Sequence, residues 1–256
     1  MSYHFQNCSA VNAKKLKERF DADGYFVWEE LYSPAEVARK RAYIEQIVTN
    51  RDRWPSRMFI YGAAGTDSDD DAVPTAIHTG HLHDWTFIDW ARDERILRVV
   101  RPLLGDDVAV YNTSVFMKPP RSPVVIPWHQ DQAYYAVTTE FLVACWVALT
   151  DVTMDNGALK YLRGGHRCGV LPTGPPRDAN AATTFDREVV DIDPSQIVDV
   201  PVRAGSAIFH HSLVPHYSGP NRTDSPRWAI ALDYMRADYL FTGPGEARRC
   251  YPIVSG

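Results

Sequence analysis

Pro127-Trp128-His129-Gln130-Asp131 is the segment of the chain that says most about its fold and chemistry. It continues a β-favouring run that begins at Val124 and therefore predicts extended backbone. In an extended strand the side chains at positions i and i+2 point to the same face, so His129 and Asp131 can both reach one metal ion. The pair alone is weak evidence, because it is equally compatible with a hydrogen-bonded core histidine followed by an aspartate in a turn.

A second imidazole strengthens the metal interpretation. His216 lies 87 residues after His129 in another short β-favouring run, and Arg227 follows His216 by eleven residues. Two histidines and one carboxylate on one face of a metal, with the other positions open, are the ligand set of non-haem Fe(II) oxygenases. The sequence therefore predicts that His129, Asp131 and His216 bind Fe(II).

The arginine suits a co-oxidant at the same site. Iron held by three protein ligands needs a further ligand that delivers electrons, and 2-oxoglutarate does so while chelating the metal through its keto-acid end. Its distal carboxylate then needs a cation, and the planar guanidinium of Arg227 can bind a carboxylate through two parallel hydrogen bonds. Ser218 lies two residues after His216 on the same strand face, and we expect it to donate a second hydrogen bond to this carboxylate.

Helical signals dominate the first hundred residues. The run 33–36 (Ser-Pro-Ala-Glu) combines a capping box with a proline at the first helical position. A further helical pattern runs from about residue 89 to residue 105, where Pro102 is expected to interrupt or end it. Residues 51–88 lie between these helices as a long loop, and loops of this length inside a compact domain are usually functional.

The pattern then changes to short β-rich runs. About eight such runs alternate with turn signals, among them Asn156-Gly157, which predicts a hairpin between the third and fourth runs. This spacing is typical of an all-β core built as a two-sheet jelly roll or a barrel. No repeat or linker interrupts the chain. We therefore predict one domain over residues 1–256, with helical additions at 1–105 and the jelly-roll core at 106–240.

Composition argues against several classes of partner. The chain of 256 residues is 45% hydrophobic and carries a net charge of −5 without basic runs, so nothing indicates nucleic acid or an anionic membrane as a partner. It contains no apolar stretch of membrane-spanning length and no signal-peptide pattern at its start. The four cysteines are widely spaced without a Cys-x-x-Cys motif, which favours reduced thiols. These features predict a cytoplasmic location.

Several motifs are similar to those of a known family. They lie at residues 117–120 (Met-Lys-Pro-Pro), 128–131 (Trp-His-Gln-Asp), 146–151 (Trp-Val-Ala-Leu-Thr-Asp), 156–159 (Asn-Gly-Ala-Leu), 163–167 (Arg-Gly-Gly-His-Arg) and 216–221 (His-Tyr-Ser-Gly-Pro-Asn). With the eleven-residue step to Arg227 and the helix that ends before Tyr25, they make the chain resemble the phytanoyl-CoA dioxygenase family of Fe(II)/2-oxoglutarate oxygenases. The resemblance covers nearly the whole chain.

The resemblance implies a fold and a set of binding residues. The implied fold is a double-stranded β-helix, a cupin-like jelly roll with N-terminal helices. The implied cofactors are Fe(II), 2-oxoglutarate and O2, with ascorbate as a candidate reductant. The implied metal ligands are His129, Asp131 and His216, and the implied cosubstrate contacts are Arg227, Ser218, Asn112 and Trp146.

The resemblance also implies an activity, which is hydroxylation of an unactivated C–H bond in a small-molecule substrate with release of succinate and CO2. Asp131 favours hydroxylation over halogenation, because halogenating relatives have a small residue at that position. Desaturation, cyclisation or epimerisation by the same cofactors is an alternative outcome. A non-catalytic jelly roll that binds a structural metal is the alternative from another class, and Arg227 and Ser218 argue against it because a structural metal needs no carboxylate clamp.

The substrate pocket is expected to involve two segments of the chain. An aromatic residue six positions after the first histidine faces the substrate in relatives, which points to Tyr135. His81 and His83 are predicted to line the pocket from the loop 51–88. The spacing of His78, His81 and His83 also resembles a metal cluster, but the loop has no cysteine and no carboxylate arrangement close to these histidines beyond Asp84. A loop that lines the pocket is therefore the preferred interpretation.

Three further residues and one segment have open interpretations. His210 and His211 are consecutive, so only one of them can face the site from a strand. Both are interpreted as packing residues or as neighbours of the metal ligands. Lys118 is either a carboxylate partner or, more simply, the exposed end of a strand. Residues 171–194, which are rich in proline, are interpreted as a lid or an edge loop.

Overall fold

The structure is a computed structural model that describes residues 4–5, 13–62, 74–138, 141–182, 185–241 and 252–255. Its helices are α1 (Ala13–Asp23), α2 (Pro34–Thr49), α3 (Trp85–Ala91) and α4 (Glu94–Leu104). Its strands are β1 (His4–Phe5), β2 (Tyr25–Trp28), β3 (Phe59–Ile60), β4 (Ala76–Ile77), β5 (Val108–Lys118), β6 (Ile126–His129), β7 (Val137–Thr138), β8 (Val143–Ala148), β9 (Leu159–Leu162), β10 (Thr173–Gly174), β11 (Glu188–Val189), β12 (Ile197–Val200), β13 (Ala207–His211), β14 (His216–Ser218), β15 (Arg227–Arg236), β16 (Leu240–Phe241) and β17 (Ile253–Ser255).

Eight core strands are shared between two sheets. The major sheet contains the neighbours β13, β8, β15 and β5, extended by β2 and β1 on one side and by β4, β3 and β17 on the other. The minor sheet has the order β12, β9, β14 and β6, and its pairs are antiparallel. Successive core strands lie mostly in opposite sheets, which is the topology of a jelly roll. The predicted fold class is therefore confirmed, and the sheets stay open without closing into a barrel.

Strand alternation gives the major sheet two apolar faces. On β15, Ile230, Leu232 and Tyr234 join the core cluster that contains the buried side of α4, whereas Ala229 and Ala231 join a second cluster with residues of the minor sheet. This is the pattern expected when alternate side chains point to opposite faces. The helices therefore cover the outer face of the major sheet, and its inner face is left to the space between the sheets.

Two local predictions from the sequence are wrong. The helical pattern near residues 89–105 is divided into α3 and α4 by Asp93, whose side chain caps α4, and Pro102 lies inside α4 without ending it. The missing hydrogen bond at Pro102 is outweighed by buried neighbours such as Val99 and Leu103. The second wrong prediction is the hairpin at Asn156. The turn there joins β8 of the major sheet to β9 of the minor sheet, so it carries the chain from one sheet to the other.

The described segments bear on two further expectations. None of their helices has the length and apolar character needed to cross a bilayer. Cys145 and Cys168 are free thiols, as the wide spacing of the cysteines predicts. The other two, Cys8 and Cys250, lie outside the described residues, as does the part of the predicted loop 51–88 between residues 63 and 73.

Ser33→Ala is expected to lower the free energy of unfolding by about 1 kcal/mol, because Ser33 caps α2. Its Oγ accepts a hydrogen bond from the Glu36 backbone, and Glu36 Oε2 accepts one from the Ser33 backbone at 2.9 Å. Hydrogen bonds from Arg95 and Ser33 lower the pKa of Glu36 to about 2. The contribution of Glu36 is therefore complete above about pH 4.5 and is lost as the pH falls through about 2.

Urea denaturation of both proteins at neutral pH measures this difference. Ser56→Ala, at an exposed serine in a 3-10 turn, is the matched control and should leave the midpoint unchanged. Equal midpoints for Ser33→Ala and the wild type would contradict the assigned cap.

Candidate active site

The two predicted histidine ligands face each other across a pair of strands in the minor sheet. His129 is the last residue of β6 and His216 the first residue of β14, and they are directly paired. Asp131 begins a 3-10 turn immediately after β6, and extended backbone at Gln130 keeps its side chain on the same side as that of His129. One ligand atom from each of the three residues lies within 4.8 Å of the others, and this is the single group of its kind within the described ranges.

Backbone carbonyls set the orientation of both imidazoles. The Nδ1 atom of His129 lies 2.8 Å from the carbonyl oxygen of Pro127, and Nδ1 of His216 lies 3.1 Å from that of Val214. A carbonyl only accepts, so each Nδ1 must carry the proton and each Nε2 keeps its lone pair. The Nε2 atoms lie 3.5 Å and 3.8 Å from Asp131 Oδ1. Hydrogen bonds from Nδ1 to a backbone carbonyl, as in these two residues, typically orient histidine ligands toward a metal.

Asp131 is held by a residue from the other sheet. His210 Nε2 lies 3.1 Å from Asp131 Oδ2, and its Nδ1 lies 3.0 Å from the Tyr161 hydroxyl. Burial raises the pKa of Asp131, but the surrounding imidazoles, among them the hydrogen-bond donor His210, hold it well below its usual value. The carboxylate is therefore ionised at neutral pH.

His211 follows His210 in the chain but faces the opposite side of β13. Its ring stacks on Phe141 with the centroids 4.4 Å apart, and it also packs against Phe20. Strand alternation thus separates the two consecutive histidines. His210 contacts a predicted metal ligand, and His211 is a packing residue.

These three side chains suit a divalent metal. Two imidazole lone pairs and one carboxylate converge from one side, and the other side of the group opens into a cavity of about 340 Å³. This donor set, with open positions, is the one that non-haem Fe(II) sites use. Burial lowers the pKa of His216 well below its usual value, so its imidazole is neutral, as a ligand must be.

Arg227 is a buried cation that lines the same cavity. It is 1% exposed, and its Nη2 donates to Ser218 Oγ at 2.8 Å and to the carbonyl oxygen of Gly157 at 3.3 Å. Its Nε is buried and has no hydrogen-bond partner among the described residues, and none of their acidic groups forms an ion pair with it. Burial lowers the pKa of Arg227 to about 10, so the group is charged at neutral pH. A buried cation of this kind is costly unless an anion pairs with it.

Ser218 and Lys118 hold the surroundings of this arginine. The hydroxyl of Ser218 donates to the carbonyl oxygen of Gly157 at 2.8 Å, so its proton is already engaged, whereas the sequence suggested a donor to the cosubstrate. Lys118 is 3% exposed, and its ammonium group donates to the carbonyls of Val124 and Ser218 at 3.0 Å each and to that of Gly219. Lys118 does end β5, as expected, but the expectation that it is exposed is wrong, because these three carbonyls satisfy the buried amine.

The cavity brings together most of the predicted contact residues. Asn112, Trp146 and Tyr135 line it together with the three metal-ligand candidates, Arg227 and Ser218. Trp146 also lies beneath the Arg227 guanidinium, whose carbon is 5.6 Å from the ring centroid. The predicted loops also contribute to the lining, with His78 and Thr79 from residues 51–88 and Phe185 from residues 171–194.

His81 and His83 do not belong to this lining. The backbone of His81 donates to Thr113 Oγ1 at 2.9 Å. Thr113 lies between the cavity residues Asn112 and Ser114 on β5, so its side chain points to the other face of the sheet. The 3-10 turn Gly80–Leu82 therefore directs His81 away from the cavity, and the loop presents His78 instead.

Sequence reasoning missed two polar residues near the metal-ligand group. His210 could not be chosen over His211 without knowing which face of β13 turns inward. Asp233 also lines the cavity and is buried. A signal for it existed, because it lies six positions after Arg227 on one continuous strand and therefore on the same face.

Comparison with known proteins agrees with this geometry. The family model described as phytanoyl-CoA dioxygenase (PhyH) matches residues 20–229. A probable alpha-ketoglutarate-dependent hypophosphite dioxygenase of Stutzerimonas stutzeri is 27% identical over 231 residues, which are 88% of this chain and 79% of the relative.

Two solved structures are similar over nearly the whole chain. The non-heme monooxygenase ThoJ in its apo form is 30% identical with a TM-score of 0.76, covering 94% of this chain and 84% of that one. EvdO2 from Micromonospora carbonacea var. aurantiaca, complexed with 2-oxoglutarate, is 25% identical with a TM-score of 0.67, covering 94% of this chain and 97% of that one. The extent of the family match, together with the fold and the ligand geometry, shows that the chain belongs to the phytanoyl-CoA dioxygenase family.

Proposed function

We propose that the protein is an Fe(II)/2-oxoglutarate-dependent dioxygenase that hydroxylates an unactivated C–H bond of a small molecule. One observation carries the proposal. A two-histidine, one-carboxylate group and a buried arginine that has no acidic partner among the described residues line the same cavity. A structural metal site would not require the arginine. The similar hypophosphite dioxygenase and the 2-oxoglutarate complex of EvdO2 support the same cosubstrate.

The side chains have distinct tasks in this proposal. His129, Asp131 and His216 would hold iron from one side and leave its other positions open to the cavity. Arg227 would bind the distal carboxylate of 2-oxoglutarate and fix its direction, while Ser218 keeps the guanidinium in place. Iron, 2-oxoglutarate and O2, when bound, supply the oxidising power that inserts an oxygen atom into the substrate and releases succinate and CO2.

The cavity walls add two further effects. Its aromatic residues, which include Trp146, Tyr135 and Phe185, shield the reacting centre from bulk water. Asp131 supplies the carboxylate ligand beside the two histidines, so that metal position is not free for chloride. Hydroxylation is therefore favoured over halogenation.

Anaerobic mixing of the purified protein with Fe(II) and 2-oxoglutarate is expected to give a visible absorption band, and admission of O2 should then yield succinate. Succinate added in place of 2-oxoglutarate is the control, because it lacks the keto group that completes the chelate. A protein that binds iron but gives neither the band nor succinate would be the non-catalytic metal-binding jelly roll, and the proposed function would be wrong.

The type of oxidation is decided by the position of the substrate in the cavity. Mass spectrometry of metabolite extracts incubated with the loaded enzyme measures it directly. Hydroxylation adds one oxygen atom to the product, desaturation or cyclisation removes two hydrogen atoms, and epimerisation leaves the mass unchanged.

A further inference from the structure

The inner face of β15 carries a basic group at one end and a carboxyl group at the other. Arg227, Ala231 and Asp233 all line the cavity. Arg227 and Asp233 are six residues apart, which corresponds to roughly 20 Å at about 3.3 Å per residue. The small alanine between them leaves the middle of the cavity free. The proposed cosubstrate would take the end at Arg227, so the end at Asp233 is available to another ligand.

Strand pairing places Asp233 opposite the metal-ligand group. In the major sheet Asp233 pairs with Ala144, and Ala144 pairs in turn with His210, which contacts Asp131. Asp233 is therefore two strand spacings, or roughly 10 Å, from His210. The intervening methyl group of Ala144 does not fill this space. A small molecule held by Asp233 would present its other end to the metal.

A β-bulge adds an aromatic wall beside this carboxyl group. Asp233 pairs with Asn112 and Tyr234 pairs with Val110, so Tyr111 is the extra residue on β5. As a result Tyr111 and Asn112 both line the cavity, although regular alternation would turn one of them away. The ring of Tyr111 packs 4.4 Å from that of Tyr135. Aromatic faces attract cations, and the hydrogen bond between Tyr135 and Asp233 places this pair of rings beside the carboxyl group.

No side-chain cation of the described lining compensates Asp233. Arg227 is the single lysine or arginine among those lining residues, and it lies at the far end of the strand face. Asp233 is 6% exposed. Burial and the nearby Asp131 raise the pKa of Asp233 well above its usual value, and hydrogen bonding with Tyr135 and Asn112 offsets this in part. In the loaded site the charges of Fe(II), 2-oxoglutarate, Asp131 and Arg227 would cancel, so a cation beside Asp233 is what would favour the ionised form of its carboxyl group.

We propose that Asp233 binds a protonated amine of the substrate and so selects small molecules that carry a basic nitrogen. This inference rests on the proposed function and adds a substrate class to it. The alternative is a structural role, in which Asp233 serves only to hold Tyr135 and Asn112. Asparagine at this position preserves the shape and can keep both hydrogen bonds, so Asp233→Asn separates the two roles.

The test uses a series of phenylalkylamines of increasing chain length, each with its matched phenylalkyl alcohol. Binding to the anaerobic protein loaded with Fe(II) and 2-oxoglutarate is measured by calorimetry. We expect at least one amine to bind about tenfold more tightly than its alcohol, as a charge-assisted hydrogen bond would give. Asp233→Asn should remove this preference while keeping the alcohol affinity, the absorption band and the melting temperature. Asp238→Asn, at an exposed aspartate paired with Arg236, is the matched control and should keep the preference.

The outcomes separate the inference from the proposed function. An absorption band without an amine preference anywhere in the series overturns the role of Asp233 and leaves the dioxygenase intact. The same holds if Asp233→Asn retains the preference. An amine preference in a protein that forms no band with Fe(II) and 2-oxoglutarate supports Asp233 as a cation site and refutes the proposed oxidation chemistry.

Discussion

Fe(II) binding is expected to fall by more than about 100-fold when His216 is replaced by alanine. Changes to groups that merely orient a metal ligand already cost 10–100-fold in affinity, so loss of a ligand should exceed that range. His129 and Asp131 would remain, but two donors from one strand end cannot enclose the ion. Anaerobic calorimetry with Fe(II), or metal analysis after gel filtration, measures the loss.

A nearby histidine that faces away from the cavity, His211, provides the control for this experiment. His211 packs between Phe141 and Phe20 on the other face of β13, so His211→Asn should bind iron at the wild-type stoichiometry. Circular dichroism of both variants shows whether the fold is intact. Stoichiometric iron in a folded His216→Ala protein would mean that another residue, with His210 the nearest imidazole of the other sheet, completes the site.

Arg227→Ala is expected to weaken 2-oxoglutarate binding by at least about 100-fold without loss of iron. The reason is that two charge-assisted hydrogen bonds to the distal carboxylate disappear, each of which contributes about 1.5–3 kcal/mol. The substitution also removes a buried charge that lacks an acidic partner within the described chain, so the folded state should tolerate it. Titration of the absorption band with 2-oxoglutarate gives the dissociation constant.

Two further variants sharpen the result. Arg227→Lys keeps the charge but not the planar pair of donors, and we expect it to recover part of the affinity. Arg121→Ala removes an exposed arginine that pairs with Asp224 and should behave as the wild type. If Arg227→Ala binds 2-oxoglutarate as tightly as the wild type does, the cosubstrate carboxylate is held elsewhere and the assignment of Arg227 fails.

The features that the sequence could indicate are those whose geometry depends only on neighbouring residues in the chain. His129 and Asp131 are separated by one extended residue, so their common direction follows from backbone geometry alone. The helix start at Ser33 follows in the same way, because a capping box and its proline act within one turn. The jelly roll was predictable from the spacing of its strands, although the choice between open sheets and a barrel was not.

Errors arose where a side chain depends on distant partners. Lys118 was expected to be exposed at the end of its strand, yet three carbonyl groups from other segments surround its amine. His81 was expected in the pocket, but its backbone is hydrogen-bonded to Thr113, whose side chain lies on the opposite face of β5. Neither outcome is encoded in the neighbouring residues, because each follows from contacts between segments that are far apart in the chain.

By itself, the sequence determined the kinds of group available: two imidazoles, a carboxylate and an arginine at spacings that suit one iron and one dicarboxylate. Only the tertiary structure decided which groups share the cavity, that His210 supports Asp131, and that Asp233 faces them across Ala144. The physical reason is strand register. A shift of one residue turns every side chain of a strand to the other face, and the register of β13, β8, β15 and β5 is set by pairing between distant segments and by the bulge at Tyr111.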